Sequence, residues 1–546
     1  MQHPYLMAVL AAAALAACGG GSDPQPPPVV VTPSITFSGT AATGAAIVGA
    51  HVDIKCAAGT DASSGATTAA GGTYSVTISG AALPCVMHVT AGSTELYSLA
   101  ESGSATTVHA NITPFSHMVA AKAVGGDLAA FYQSFNVSDQ AKLDSSSVAS
   151  AITAVTAALS GTASFAGMNP ITGSFVIGDA FDQQLDAFKL ALDRAQVSLA
   201  DATSGIVVGG AAPVQTLLQP ASSACAGLRS GKYRVINPHE VGHDAAYVAH
   251  LITVNAATLT VTDDLDASHT PIAITPDATS ACQFTLPGDF GTATLLVSAS
   301  GMAILHAPNA LAQTQVSLIL PEQTIPVADL AGLWNFMVYD HSNGTSFVPG
   351  SGTATFDAAG NFTDGTDCTG LSTCVPNPPP YEPFVANAAG GFDHGTHRRM
   401  FAFKSANGGV SLFQIDTLNG SFVVATKQAA LSLPVLGNES RFWDFQVGSN
   451  GAATPVTHGV VTVTSVDAAS QSFTRTRSAD GRVDGFTLNQ PRNGLRYRAA
   501  GSSPTSSGGT VNFAATIVMP LPGTGMNVNI STAANQNFFG VTVVKP

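Results

Sequence analysis

AGLWNFMVYD, Ala331–Asp340, is the stretch whose reading decides the fold. Its tripeptide Ala331-Gly332-Leu333 leads into a strand-like alternating run, and an earlier segment, AGLRSGKYRVI, opens the same way with Ala226-Gly227-Leu228. Alternation with a period of two marks a half-buried strand, because successive side chains on extended backbone point to opposite faces. Two copies of one strand-opening element suggest a faint internal repeat. From Cys225 onward, short alternating segments lie between clusters of Gly, Pro, Asn and Asp, the texture of sandwiches or barrels. We expect two β domains here, roughly 222–330 and 331–546.

LAGLWNF is also similar to the Gly-x-Trp opening strand of lipocalin-like barrels. That resemblance implies a barrel-like domain with Trp334 closing its bottom, able to carry a small apolar ligand.

The chain has 546 residues, more than one ordinary domain holds, so three or four are expected. Only 10% of residues are charged, and the net charge of −14 disfavours nucleic acid as a partner. Against this background the arginines Arg398, Arg399, Arg475, Arg477, Arg482, Arg492, Arg496 and Arg498 are concentrated near the end of the chain. In FTRTRSADGR, Arg475 and Arg477 project to one side of a strand, as do Arg496 and Arg498 in LRYR. If these strands pair, the four form a basic patch suited to a carboxylate, a phosphate or an acidic glycan. The reading we favour is a solvated sheet face with Asp484 among its partners, with the anion-binding patch as the alternative.

NPHEVGHDAAYVAH, Asn237–His250, contains the His-Glu-x-x-His pattern of zinc peptidases. In those enzymes the pentad lies on a helix, so that two histidines four residues apart share a face and a zinc ion. Here Pro238 precedes His239 and opposes a helix entering from upstream, and the flanking segments read as strands. HEVGH resembles the metzincin pentad, but Ala246 and Ala249 stand where that family continues with Gly and His, and His250 comes one residue late. In a helix one residue is a rotation of about 100°. We expect a loop between strands, with His239 and His243 only weak metal candidates and zinc hydrolysis the minor alternative. Asp357, Asp364 and Asp367 in TFDAAGNFTDGTD read as a hairpin rather than a calcium loop. No nucleophile elbow or Walker loop occurs, and no cofactor is expected.

Upstream, GAAIVGAHVDIKC alternates Ala50, Val52 and Ile54 against His51, Asp53 and Lys55, and GGTYSVTISG alternates Tyr74, Val76 and Ile78 against Ser75 and Thr77. The pattern Gly44-x-x-x-x-Gly49-Ala50-x-Val52 with Gly72-x-Tyr74-x-Val76 resembles transthyretin-like or carboxypeptidase-regulatory-like sandwiches. The resemblance covers about 34–112 and implies a supporting, non-catalytic module. A helical unit is expected over 113–205. Thr113 and Pro114 begin its first helix and Gly125-Gly126 end it; Val148, Ile152, Val155 and Leu159 form one stripe, and Phe181, Leu185, Phe188 and Leu192 another behind Asp179. These stripes suit a helical core better than a partner groove. The fold class is therefore mainly β with a small helical segment.

At the N-terminus the apolar run Leu6–Ala17 reads as a signal peptide over 1–17. Leu15-Ala16-Ala17-Cys18 resembles the lipobox of bacterial lipoproteins, which implies that Cys18 is acylated. Gly19, rather than Asp, implies sorting to the outer membrane. Residues 18–33, rich in Gly, Ser and Pro, form a flexible tether. Six further cysteines fall in local couples, Cys56 with Cys85, Cys225 with Cys282 and Cys368 with Cys374, and three disulfides are the simplest account, although spacing alone leaves other connectivities open. The favoured function is a non-enzymatic envelope lipoprotein, a binding or structural module whose partner is the membrane through its anchor, with a glycan or small molecule as ligand.

Overall fold

The computed structural model describes residues 34–58, 62–92, 94–242, 244–266, 268, 270–371, 373–379, 382–532 and 537–546. The signal peptide, Cys18, the tether and His243 lie outside the described residues. The fold is mainly β with one helical segment, as the alternation and capping signals require.

The first unit is a sandwich. One sheet orders Thr73–Ser79, Ser34–Thr40 and Thr107–His109; the other orders Ala62–Thr67, His51–Ala58, Ala82–Ala91 and Thr94–Ala100. Val52 and Ile54 point into the core with Tyr74 and Ile78. Cys56 lies opposite Cys85 on paired strands and is bonded to it. Tyr74 donates from its hydroxyl to the Ala110 carbonyl, and burial holds its pKa far above the ordinary value.

Helix Pro114–Val124 starts at Thr113, whose hydroxyl accepts from the Ser116 amide, and ends at Gly125 in the left-handed region. Helices Ser145–Leu159 and Ala180–Ala195 follow, the second capped by Asp179. Val148, Val155, Leu159, Phe181, Leu185 and Phe188 all enter one core that the helices share with the sandwich, so the stripes are spent on internal packing. Phe115 sits among Phe165, Phe181 and Phe188, with ring centroids 5.2, 5.6 and 5.5 Å away. Leu128–Ser134 is a shorter helix between the first two, and Leu199–Val208 and Ala211–Leu217 carry the helical texture past residue 205.

Three β units follow, each built so that its first strand pairs with both the next strand and the last. In the first nine-stranded sheet, Gly231–Ile236 lies between Ala249–Asn255 and Thr314–Pro321. In the second, Gly332–Asp340 lies between Val348–Phe356 and Phe422–Lys427. The two sheets have the same strand order, but the repeated Ala-Gly-Leu does not hold one position in both: Ala226–Leu228 lies in Cys225–Arg229, a strand of a separate two-stranded sheet, whereas Gly332 and Leu333 begin the second sheet's own first strand. The third unit is a closed eight-stranded barrel in which Glu439–Gly448 pairs with Thr457–Asp467 and with Phe538–Val544. The stretch 331–546 thus holds two of these units, the second nine-stranded sheet and the barrel, with a small two-stranded sheet, Gly501–Pro504 and Thr510–Phe513, beside the latter. The Trp334 expectation is corrected accordingly. Trp334 does not close the barrel: it belongs to the second nine-stranded sheet, is fully buried among Leu330, Phe356, Met400 and Leu412, and donates Nε1–H to the Leu330 carbonyl at 2.8 Å.

These three units back onto one apolar core. Ile236, Ile304 and Leu318 of the first, Tyr339, Phe413 and Val424 of the second, and Met526, Val528 and Val541 of the barrel enclose a void of only about 70 Å³. Trp443 and Phe445, both essentially unexposed, face the same way from the barrel wall. Each such side chain contributes roughly 1.5–3 kcal/mol by leaving water. Because side chains alternate along a strand, an outer wall committed to apolar contact leaves the inward positions free to be polar.

Candidate anion-binding site in the C-terminal barrel

The first barrel strand shows that inversion directly. Trp443, Phe445 and Val447 point outward into the shared core, while Phe442, Asp444 and Gln446 line the interior. On the third to fifth strands, Ser472–Arg477, Val483–Leu488 and Arg496–Arg498, the inward positions hold Arg475, Arg477, Asp484, Arg496 and Arg498. Arg482 reaches in from the turn before the fourth strand. Val463, Phe473, Phe486 and Leu488 form a small apolar cluster beside them. The remaining cavity is about 1060 Å³, at the large end for a small-molecule site.

The expected apolar lining is therefore corrected: the barrel interior is cationic and polar. So is the solvated sheet face, because Asp484 is 1% exposed. Its carboxylate lies 3.0 Å from Arg498 Nη1, 3.6 Å from Arg482 Nε and 3.8 Å from Arg475 Nε. Phenyl rings support the guanidiniums from behind: Arg475 lies 4.8 Å over Phe486, Arg477 5.6 Å over Phe442 and Arg498 4.6 Å over Phe513. Arg496 donates from Nη2 to Asn527 Oδ1 at 2.7 Å.

Among the described lining residues, five guanidiniums face two carboxylates, Asp484 and Asp444, an excess of three positive charges in a chain of net charge −14. Burial pushes the Arg496 guanidinium down to about 10, and Arg475 adds to that; burial likewise lowers Arg475 and Arg498. Asp444 accepts from the Thr542 hydroxyl at 2.9 Å, and its pKa is raised by burial, which outweighs that hydrogen bond and the nearby Arg477, Arg475 and Arg482. Among the described residues, the Nε–H groups of Arg475, Arg477, Arg482, Arg496 and Arg498 are buried without a hydrogen-bond acceptor. Buried donors and like charges held this way are costly unless an anion meets them.

Across the barrel, Asn527 and Asn529 on strand Met526–Ser531 and Thr542 on strand Phe538–Val544 line the wall beside Gln446. Glycines make the room. A Cβ on Gly540 would come within 2.4 Å of Asn529, and one on Gly459 within 2.4 Å of the Phe442 ring. Sequence reading brought Arg475, Arg477, Arg496 and Arg498 together, but it missed Asp444 and the amide wall, for which isolated strands carry no signal. Three other arginines lie elsewhere: Arg399 is 3.1 Å from Asp393, Arg398 is 3.7 Å from Asp416, and Arg492 donates to Asn335.

The described residues of the His-Glu-x-x-His segment, His239 to Gly242, do not lie on an α-helix. Pro238–Glu240 is a single 3₁₀ turn, Gly242 takes a left-handed φ of 84°, and a strand begins at Ala249. His239 lines the apolar void between the three β units, where burial lowers its pKa to about 4. His250 faces the Tyr247 carbonyl. No group of three or more metal-ligating side chains occurs among the described residues. Asp357 closes the hairpin turn by accepting from the Ala359 and Asn361 amides, while Asp364 and Asp367 lie on the strand that follows. Cys225–Cys282 and Cys368–Cys374 are bonded.

No family profile matches the chain, and no curated protein does. Among solved structures, a protein of unknown function from the DUF3598 family of Nostoc punctiforme is 10% identical, with 41% of this chain and 99% of that chain covered and a TM-score of 0.15. Transferrin binding protein B of Neisseria meningitidis is 7% identical over 54% of this chain and 65% of that chain, TM-score 0.19. Its counterpart from Haemophilus parasuis is 10% identical over the same shares, TM-score 0.16. The match thus spans less than two thirds of the transferrin binding proteins. Likenesses this distant carry no argument about function.

Proposed function

We propose that this chain is an envelope lipoprotein, held to the outer membrane through acylated Cys18, whose C-terminal barrel binds a small polyanion. The single observation that supports the reading is the cavity charge: Arg475, Arg477, Arg482, Arg496 and Arg498 line one cavity against Asp444 and Asp484. Guanidinium is the cation suited to this task, since its planar fork matches carboxylate and phosphate oxygens and it stays charged when buried. The lining is built for capture. Asp484 is engaged by arginines and Asp444 by Thr542, an arrangement that fits binding rather than acid–base chemistry. The sandwich and helical unit then act as a stalk between anchor and barrel. No helix among the described residues is long and apolar enough to cross a membrane.

Calorimetric titration of the full chain in detergent with citrate tests the reading. Saturable binding, weakened about tenfold or more by Arg498→Gln and unchanged by Arg398→Gln, is the expected result. Citrate binding of equal strength in wild type and the Arg498 variant, or no binding in either, would overturn it.

A further inference from the structure

The barrel interior has two unlike walls. Guanidiniums occupy the arc formed by strands Ser472–Arg477, Val483–Leu488 and Arg496–Arg498, which are neighbours in the closed sheet. The opposite arc, strands Met526–Ser531, Phe538–Val544 and Glu439–Gly448, presents Asn527, Asn529, Thr542 and Gln446. Asp444 on this arc accepts from the Thr542 hydroxyl, and the amide groups beside it both donate and accept, so that wall is suited to alcohol groups. A bare inorganic anion would satisfy the first wall alone. Filling a space of about 1060 Å³ while meeting both walls requires an extended body.

Resting on the anion reading above, we infer that the barrel ligand is an acidic saccharide or polyol: a hydroxyl-rich body bearing two or more carboxylate or phosphate groups. The acid groups sit among Arg475, Arg477 and Arg498, neutralising the excess of three charges in whole or part, and the hydroxyls face Asn529 and Gln446. Gly540 belongs to this design. It lies opposite Asn529 in register, and any side chain there would displace the Asn529 amide from the cavity.

The test uses matched pairs on the full chain, by calorimetry: glucarate against adipate, which share six carbons and two carboxylates, and fructose 1,6-bisphosphate against hexane-1,6-diol bisphosphate. The hydroxylated member of at least one pair is expected to bind about tenfold tighter, the worth of one or two hydrogen bonds. The pair that shows the preference tells whether the acid groups are carboxylates or phosphates. Asn529→Ala and, separately, Gln446→Ala should shrink the preference by weakening the hydroxylated member more than the hydroxyl-free one, with thermal melts confirming that each variant folds. Equal binding within each pair sinks this inference and leaves the anion reading standing. A preference untouched by both variants sinks it as well. If none of the four compounds binds while citrate does, this inference falls and the anion reading stands; if citrate fails as well, both fall.

Discussion

Arg498 holds its Nη1 3.0 Å from Asp484 Oδ1, at a carboxylate almost wholly withdrawn from solvent and approached by Arg482 and Arg475 as well. One carboxylate thus organises three cations. Asp484→Asn keeps the shape but deletes the charge, so it should cost roughly 3 kcal/mol of stability, as breaking a buried ion network does. Urea denaturation would measure it, and saturating citrate should return part of the loss by binding only the folded state.

Gly540→Val places an isopropyl group where only hydrogen now stands and drives into the Asn529 side chain. Citrate affinity should fall at least about tenfold, while overpacking lowers stability by roughly 1–3 kcal/mol. Calorimetry and melting on one sample separate the two effects.

His306 packs edge-on against Phe445, with ring centroids 4.2 Å apart, at 5% exposure, and burial lowers its pKa to about 4. The folded state therefore binds the proton more weakly than the unfolded chain, whose imidazole titrates near 6.5. The contribution is complete above that value and is lost as pH falls from about 6.5 towards 4. Between pH 7 and pH 5 this histidine alone should remove about 2 kcal/mol. His306→Phe should flatten the acid limb of a stability-against-pH curve, and an unchanged limb would refute the assignment.

Cys225–Cys282 closes a separation of 57 residues, Cys368–Cys374 one of 6. On the loop-entropy account, replacing the first pair with alanines should cost about 4 kcal/mol and the second about 2 kcal/mol. Paired denaturation curves without reductant would rank them.

Local features were legible because their causes are local. Thr113, Asp179 and Gly125 cap helices through contacts a few residues away, and the alternation at Val52, Ile54, Tyr74 and Ile78 names the buried face without reference to any partner strand. The barrel interior was legible only in part. That Arg475 and Arg477 share a side follows from extended backbone. Which side is enclosed depends on Trp443 and Phe445 turning outward to meet two neighbouring sheets, a relation spread over hundreds of residues. No Ala-Gly-Leu stands at the start of the barrel, so its boundary near residue 439 left no mark, and Trp334 drew the barrel assignment to the wrong sheet.

The outward-facing apolar wall of the barrel has a practical corollary. Cut free of its neighbours, the segment 439–546 would show Trp443, Phe445, Met519, Val528 and Val541 to water as one greasy belt, and it would self-associate or precipitate. The arginine chamber is thus a dependent part of the molecule, soluble only while the two sheets before it remain attached.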